Sequence, residues 1–229
     1  MTNNIPPNAP NADWIGRSRL RVEDDRLLTG RGQFTANVRP ETCLHIAFLR
    51  SPFARARIDG VDTNDVAGPG VTAAFTGKDM ENLGNLSVNP IIDGIRVPPM
   101  DCLAKDQVMA VGQPVAVVVA ETRNLAQDAL DRIYIDYEET ETEADLFPEC
   151  PQNLALEQSW KTADLTTRHD PAALAVSVEI RHPRLQAMAL EPRAVVAHWQ
   201  NDRLTVWLPG QTPHRARTDL ASQLDLDPA

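Results

Sequence analysis

The sequence lacks the features that usually identify a metal cluster or a membrane span. Its three cysteines, Cys43, Cys102 and Cys150, are widely spaced and form no CxxC pair, which argues against a zinc or iron–sulfur site held by this chain. No apolar run approaches the ~20 residues of a membrane helix, so we expect no membrane partner. The first residues also lack the basic start and apolar core of a secretory signal. An odd cysteine count without such a signal predicts reduced thiols and a cytoplasmic location.

Positive charge is also scarce, since 22 Lys and Arg stand against 32 Asp and Glu and give a formal net charge of −10. A chain with this balance repels phosphate backbones, so we expect no nucleic-acid partner. The 229 residues suffice for one large or two small domains. Hydrophobic residues make up 42% of them, which is ordinary for a globular protein. The sequence contains no GxSxG, P-loop or GxGxxG motif, and this excludes three common signatures of enzymes and nucleotide-binding proteins.

Hydrophobic patterning in the first 150 residues predicts a mixed arrangement of strands and a helix. The run over 115–120 is apolar without alternation, which is typical of a strand buried on both faces. After it, NLAQDALDRI places its apolar residues on one helical face. Asn124 with Gln127 is the expected capping box of this helix, and Asp131 its expected end. The strands predicted by apolar alternation or by short apolar runs are 43–50, 71–75, 115–120 and 133–137.

Several segments are predicted to be loops, linkers or arms outside the helices and strands. Residues 1–14 are rich in Asn and Pro and indicate a flexible arm, and residues 80–101 form a long surface loop, either functional or disordered. The acidic run over 138–145 is expected to be a solvated linker, with a domain boundary near residue 150. Beyond an irregular stretch, the alternation of Val176, Val178 and Ile180 predicts another strand.

The stretch from Leu190 to Leu224 has the clearest local architecture. Alternating residues over 195–199 and 204–208 flank a polar turn and predict a β-hairpin. Thr212 followed by proline is a plausible N-cap of a helix with Ala216, Leu220, Ala221 and Leu224 on one face. Gln211 therefore lies where a strand ends and a helix begins, a place that suits an oxygen-rich ligand. The alternative is a solvated loop glutamine.

Four segments carry a resemblance to a known family: RVEDDRLLTGRGQF at 21–34, RSPFARARI at 50–58, VGQPVAVVVAET at 111–122, and LEPR at 190–193 with its hairpin and Gln. They are similar to the N-terminal part of the large, molybdenum-binding subunit of the xanthine dehydrogenase, aldehyde oxidase and carbon monoxide dehydrogenase family. The resemblance implies an α+β fold. An α/β hammerhead domain would span 15–150, and 151–229 would form a linker and the incomplete start of the molybdopterin-binding domain.

The resemblance also implies a function, the oxidative hydroxylation of an aldehyde, an N-heterocycle or a similar carbon centre with water as the oxygen source. Gln211 matches the family glutamine that hydrogen-bonds an oxo ligand of the molybdenum, and it is the one site residue carried over. The expected cofactor is molybdenum-molybdopterin in its cytosine dinucleotide form, shared with the missing remainder of the large subunit. An iron–sulfur subunit with [2Fe–2S] clusters and a flavin subunit with FAD are the other expected partners.

The family's catalytic glutamate belongs to a Gly-rich motif that lies beyond residue 229. Glu191 is therefore expected to form a structural ion pair with Arg193, and the chain alone is expected to be inactive. One alternative is a non-catalytic, truncated hammerhead module that mediates interactions, and another is an unrelated α/β domain with a small-molecule pocket. The histidines lack metal-ligand spacing and are expected to be structural: His45, His169, His182, His198 and His214.

Overall fold

The structure is a computed structural model of the chain, and it describes residues 18, 20–86, 92–142, 154–161, 174, 176–183 and 185–228. The chain divides into two compact units. The larger contains Glu41–Ala187 with Gly210–Ala229, and the smaller contains Met1–Pro40 with Met188–Pro209.

The helices and strands of the larger unit are β1 (His45–Arg50), β2 (Ala56–Asp62), β3 (Val71–Thr76), β4 (Gln107–Val108), β5 (Pro114–Ala120), α2 (Arg123–Leu130), β6 (Tyr134–Glu139) and α3 (Pro213–Gln223). The strands form two three-stranded sheets with the orders β1-β5-β3 and β4-β2-β6, in which every pair is antiparallel. Helix α2 follows β5 and contacts β1, β3 and β5.

Strand β5 is the centre of the larger unit's core. Ala116, Val118 and Ala120 are completely buried, as are Ala126 and Ala129 on the facing side of α2. Because alanine has so small a side chain, the helix backbone can lie close to the sheet, and the valines fill the remaining space. The prediction of a buried strand over 115–120 is confirmed.

The predicted N-cap of α2 is wrong. Thr122 holds that position, with an extended backbone (φ −133°, ψ 156°), and its Oγ1 accepts a hydrogen bond from the Leu125 N–H at 3.2 Å. Asn124 is already the second residue of the helix. Threonine oxygen and the third helical N–H form the usual N-cap geometry. The predicted end near Asp131 is confirmed, because that residue is the C-cap.

Strand β2 was not anticipated, because its apolar pattern is short. Ala56 and Ile58 are buried, but a register shift between Ile58 and Gly60 interrupts the alternation. Its partner β6 extends to Glu139, two residues into the acidic run. The prediction of a solvated linker is wrong for those two residues, since they pair in the sheet and the Glu138 carboxylate lies 2.6 Å from Arg57. Residues 143–145 lie outside the described residues.

The smaller unit contains helix α1 (Asp24–Leu28) and the hairpin of β7 (Val196–Gln200) and β8 (Arg203–Trp207). Asn201 and Asp202 form the two-residue turn, with φ values of 52° and 57°. Two consecutive positive φ angles define a type I′ turn, and its twist suits antiparallel strands. The predicted hairpin is confirmed.

The strand predicted over 176–180 is wrong. These residues form no strand, and the exposed fractions of Val176, Val178 and Ile180 are 77%, 73% and 71%. A strand requires a hydrogen-bonded neighbour, and no strand in the described part of the chain pairs with this segment. The arm over 1–14 lies outside the described residues, as do 87–91 of the surface loop. None of the described helices is long and apolar enough to cross a membrane.

Candidate functional site

Gln211 lies in the chain between β8 and α3, as the sequence predicts. Leu208, Pro209 and Gly210 follow the strand, and the helix begins at Pro213. The Gln211 side chain is exposed, and its amide makes no hydrogen bond with any other described residue. The side-chain N–H groups of Gln211 therefore have no hydrogen-bond acceptor within the described chain. The role of Gln211 toward a ligand stays a prediction.

The residue after Gln211 begins the helix without using its side chain. Thr212 is the N-cap as predicted, and its carbonyl accepts from the Ala216 N–H at 3.0 Å, but its hydroxyl caps no N–H group. Pro213 stands at the first helical position, where its missing N–H is harmless. The first turn of α3 thus keeps N–H groups that Thr212 does not cap, next in the chain to an exposed amide donor.

Helix α3 is held to the rest of the larger unit at its far end. Gln223 Nε2 donates to the Asn85 carbonyl at 3.0 Å, and Ala221 is 8% exposed. Of the residues predicted to share one face of this helix, Leu220 and Leu224 remain 36% and 41% exposed. The helix therefore fixes the position of Gln211 through few contacts.

Glu191 has a different role from the predicted ion pair. Its Oε1 accepts the backbone N–H of Thr35 at 2.9 Å, and Thr35 is 8% exposed. The described residues show no ion pair between Glu191 and Arg193. The predicted ion pair is therefore wrong, because the partner of Glu191 is a backbone N–H group. The N–H of a buried residue needs an acceptor, and the carboxylate provides it. The hydrogen bond joins two motifs 156 residues apart, a relation that no local pattern reveals.

The described histidines are all exposed. His45 is in β1, His198 in β7 and His214 in the first turn of α3, while His182 is in irregular chain. His169 lies outside the described residues. Within the described part of the chain, no group of three or more His, Cys, Asp or Glu could hold a metal ion.

An open cleft of about 320 Å³ lies beside the ends of β2 and β6. Arg57 in its wall is engaged by Asp59 at 3.0 Å and Glu138 at 2.6 Å. The Thr140 hydroxyl, also in the wall, is buried without a hydrogen-bond partner in the described chain. Close by in β6, burial raises the pKa of Tyr137 above its ordinary value, and the Ser51 hydroxyl partly offsets this rise. The cleft is open, and one of its two arginines, Arg57, is already paired with carboxylates, so it forms no developed ligand site.

Two family models match successive parts of the chain. Residues 29–141 match the a/b hammerhead domain of aldehyde oxidase and xanthine dehydrogenase, and residues 146–229 match the molybdopterin cofactor-binding domain. Together these matches confirm the predicted α+β architecture of a hammerhead domain followed by cofactor-binding sequence.

Individual curated proteins and a solved structure are similar to almost the whole length of this chain. The chain is 34% identical to the nicotine 6-hydroxylase large subunit of Paenarthrobacter nicotinovorans, over 97% of this chain and 29% of that protein. It is 28% identical to the nicotinate dehydrogenase large molybdopterin subunit of Eubacterium barkeri, over 93% of this chain and 51% of that protein. Quinoline 2-oxidoreductase from Pseudomonas putida 86 superposes with a TM-score of 0.83 at 33% identity, over 95% of this chain and 30% of that one. The chain thus spans between 29% and 51% of the length of these three proteins.

Proposed function

The chain belongs to the aldehyde oxidase and xanthine dehydrogenase family, and we propose that it forms part of the large subunit of a molybdenum hydroxylase. The assembled enzyme hydroxylates a carbon centre and takes the oxygen from water. The observation that carries this proposal is the pair of successive matches, hammerhead then cofactor-binding domain, over 29–141 and 146–229. Since the chain spans only 29% of its nicotine 6-hydroxylase relative, the activity requires the remaining large-subunit polypeptide.

The proposed domains are a flexible arm over 1–14, the hammerhead over 15–150, and a linker with the start of the molybdopterin-binding domain over 151–229. The first matched range ends at 141 and the second begins at 146, which supports a boundary close to 150. We retain a cytoplasmic location as part of the proposal.

Gln211 is the residue of this chain that we assign to the cofactor. A bound molybdenum cofactor supplies the oxidation of the substrate carbon. The exposed Gln211 amide fits a group rich in oxygen, since it can donate a hydrogen bond without losing one within the described chain. Within the assembled subunit, a donor at this place orients the group and stabilises charge that develops on it. The cytosine dinucleotide form of the cofactor, and [2Fe–2S] and FAD on an iron–sulfur and a flavin subunit, complete the proposed assembly.

The proposed substrate class is an N-heteroaromatic ring. Two proteins that match at least 95% of this chain with at least 33% identity are named for nicotine and for quinoline. Nicotinate, the substrate in the name of a third relative, also contains a pyridine ring. The proposed reaction is therefore ring hydroxylation at a carbon next to nitrogen, where the ring is most electron-poor.

The experiment that tests the function is the purification of the tagged chain from its native cells, followed by elemental analysis for molybdenum. We expect molybdenum together with a further large-subunit polypeptide, and oxidation of quinoline or nicotinate with ¹⁸O from labelled water. A chain recovered without molybdenum would instead support the alternative of a non-catalytic hammerhead module.

Gln211→Ala in that complex tests the site. We expect turnover to fall about tenfold or more, as removal of a donor to a reacting centre does, with an unchanged free energy of unfolding. Gln127→Ala is the matched control, because Gln127 is an exposed glutamine on α2. Equal turnover of both variants at full molybdenum content would contradict the assigned role.

A further inference from the structure

The segment 176–182 presents an uncovered strand edge. Val176, Val178, Ile180 and His182 are exposed, and their N–H and C=O groups make no backbone hydrogen bond with any other described residue. In an extended chain the backbone groups of alternate residues point to the same side, so these four residues share one edge, which we call the even edge. Free backbone groups beside β-branched side chains form a template for pairing with another strand.

The opposite edge of the same segment is blocked. It contains Pro183, which has no N–H group to donate. Proline on a strand edge prevents that edge from pairing with another chain. A partner strand therefore meets a complete set of donors and acceptors on the even edge alone. Symmetric pairing through one edge closes after two copies, whereas pairing through both edges would continue into a larger sheet.

The charges of the segment complement an antiparallel copy of the segment itself. Glu179 and Arg181 flank Ile180 and form an ion pair of 2.8 Å within one chain. When Ile180 lies opposite the partner's Ile180, each Glu179 lies opposite the partner's Arg181. If the two Ile180 residues exchange their backbone hydrogen bonds, the charged residues occupy non-hydrogen-bonded pairs, where opposite side chains approach most closely. A parallel arrangement in register would place like charges side by side, which is unfavourable.

We propose that two copies of this chain associate through the even edge, as antiparallel strands about a two-fold axis at Ile180. Pro183 then lies opposite the partner's Ser177, which is a non-hydrogen-bonded pair, so the missing N–H group is harmless. Val178 and Ile180 of both copies lie on one side of this pair of strands. The inference concerns the chain by itself and goes beyond the proposed function.

The available area indicates a weak dimer. Unfolded chain exposes about 1.45 Å² per dalton, or roughly 160 Å² for an average residue. Leu174, Val176, Val178 and Ile180 are largely exposed and therefore present on the order of 500 Å² per copy. A standard specific interface buries about 800 Å² on each partner, so we expect a Kd on the order of 100 µM. At the low micromolar concentrations of unfolding measurements, the chain is then monomeric.

Charge reversal tests the proposed register in the full-length chain by sedimentation velocity at concentrations below and above the expected Kd. The buffer contains about 0.15 M salt, which screens the repulsion between two copies of net charge −10 beyond roughly 8 Å. Glu179→Arg and Arg181→Glu each place like charges opposite each other, so each variant alone should dimerise at least about tenfold more weakly than wild type. An equimolar mixture restores opposite charges, and its affinity should return to within about threefold of wild type.

Arg21→Glu is the matched control for charge reversal. Arg21 also forms an exposed ion pair with a residue two positions along the chain, Glu23, at 3.3 Å. This variant should dimerise as wild type does. Circular dichroism checks that all variants keep the wild-type secondary structure, which we expect because the reversed side chains are exposed.

Cysteine cross-linking measures the register directly. In a chain whose three native cysteines are replaced by serine, Ile180→Cys places both thiols at the two-fold axis, within reach of a disulfide bond. Val176→Cys is the control, because its counterpart lies eight positions away, roughly 26 Å along the strand. We expect a disulfide-linked dimer from position 180 and none from position 176.

The outcomes separate this pairing from its alternatives. Recovery in the mixture, together with cross-linking at position 180 alone, supports the inference. A wild-type chain that stays monomeric well above the expected Kd overturns it. Association that is indifferent to charge reversal, or that cross-links equally at both positions, also overturns it, because it reflects non-specific apolar contact. Molybdenum content enters none of these measurements, so the proposed function is tested separately.

Discussion

Two apolar stretches of this chain end in opposite environments. In β5, Val118 is completely buried between β1 and β3 and beneath α2. In the segment 176–180, Val178 is 73% exposed and pairs with no described strand. Both sequences favour extended backbone. β-Branched residues thus give a segment the capacity to form a strand, whereas neighbouring strands within reach determine whether it does.

Matched substitutions at the two valines should have very different effects on the stability of the fold. Val118→Asp places a carboxylate without a partner in the core, and we expect a loss of about 4 kcal/mol or more in the free energy of unfolding. Val178→Asp in the isolated chain should change it by less than about 0.5 kcal/mol. Urea unfolding followed by circular dichroism measures both. A large loss at Val178 would show that the segment is packed in solution.

Leucine truncation tests the same contrast without charge. Leu130 of α2 is 4% exposed, and Leu185 is 90% exposed. Leu130→Ala removes buried contacts and leaves a cavity, so we expect a loss of about 2–5 kcal/mol. Leu185→Ala should lie within about 0.5 kcal/mol of wild type. Thermal and urea unfolding of the two variants should therefore differ clearly, and equal losses would refute the assignment of the core.

Glu191 tests one well-defined contact in the smaller unit. Glu191→Ala leaves the buried Thr35 N–H without its acceptor, and we expect a loss of about 1–3 kcal/mol. Glu191→Gln keeps a side-chain oxygen and should lose less. Hydrogen exchange at the Thr35 amide is the direct measurement, and it should accelerate more in Glu191→Ala than in Glu191→Gln. Unchanged exchange in both variants would contradict the hydrogen bond.

The smallest expected effect distinguishes two candidate helix caps. Thr122→Ala removes the hydroxyl that accepts from Leu125 and should lower the free energy of unfolding by about 1 kcal/mol. Asn124→Ala should be neutral or slightly stabilising, because alanine is a better residue inside a helix. The reverse order of effects in urea unfolding would restore Asn124 as the cap.

The features that the sequence could predict are those that adjacent residues determine. Local patterns correctly indicated the hairpin around Asn201 and Asp202, the buried strand β5 and the position of Gln211 between strand and helix, because each depends on a few adjacent residues. The family resemblance extended this to the hammerhead architecture. Sequence patterns failed where a distant partner decides the outcome. Strand β2 and the Glu191–Thr35 hydrogen bond each depend on residues far along the chain. The segment 176–180 pairs with no strand among the residues that the structure describes.

The Glu191–Thr35 hydrogen bond has a consequence for the order of folding. It closes a loop of 156 residues, and the stretch Glu41–Ala187 of the larger unit lies within that loop. Closing so long a loop in an unfolded chain carries an entropic penalty that grows with its length. During synthesis, Thr35 also leaves the ribosome long before Glu191 exists. The two segments of the smaller unit, Met1–Pro40 and Met188–Pro209, therefore come together late, after the polypeptide between them has had time to fold. The N–H of Thr35, which follows the GRGQF segment, has no Glu191 acceptor until most of the chain is made.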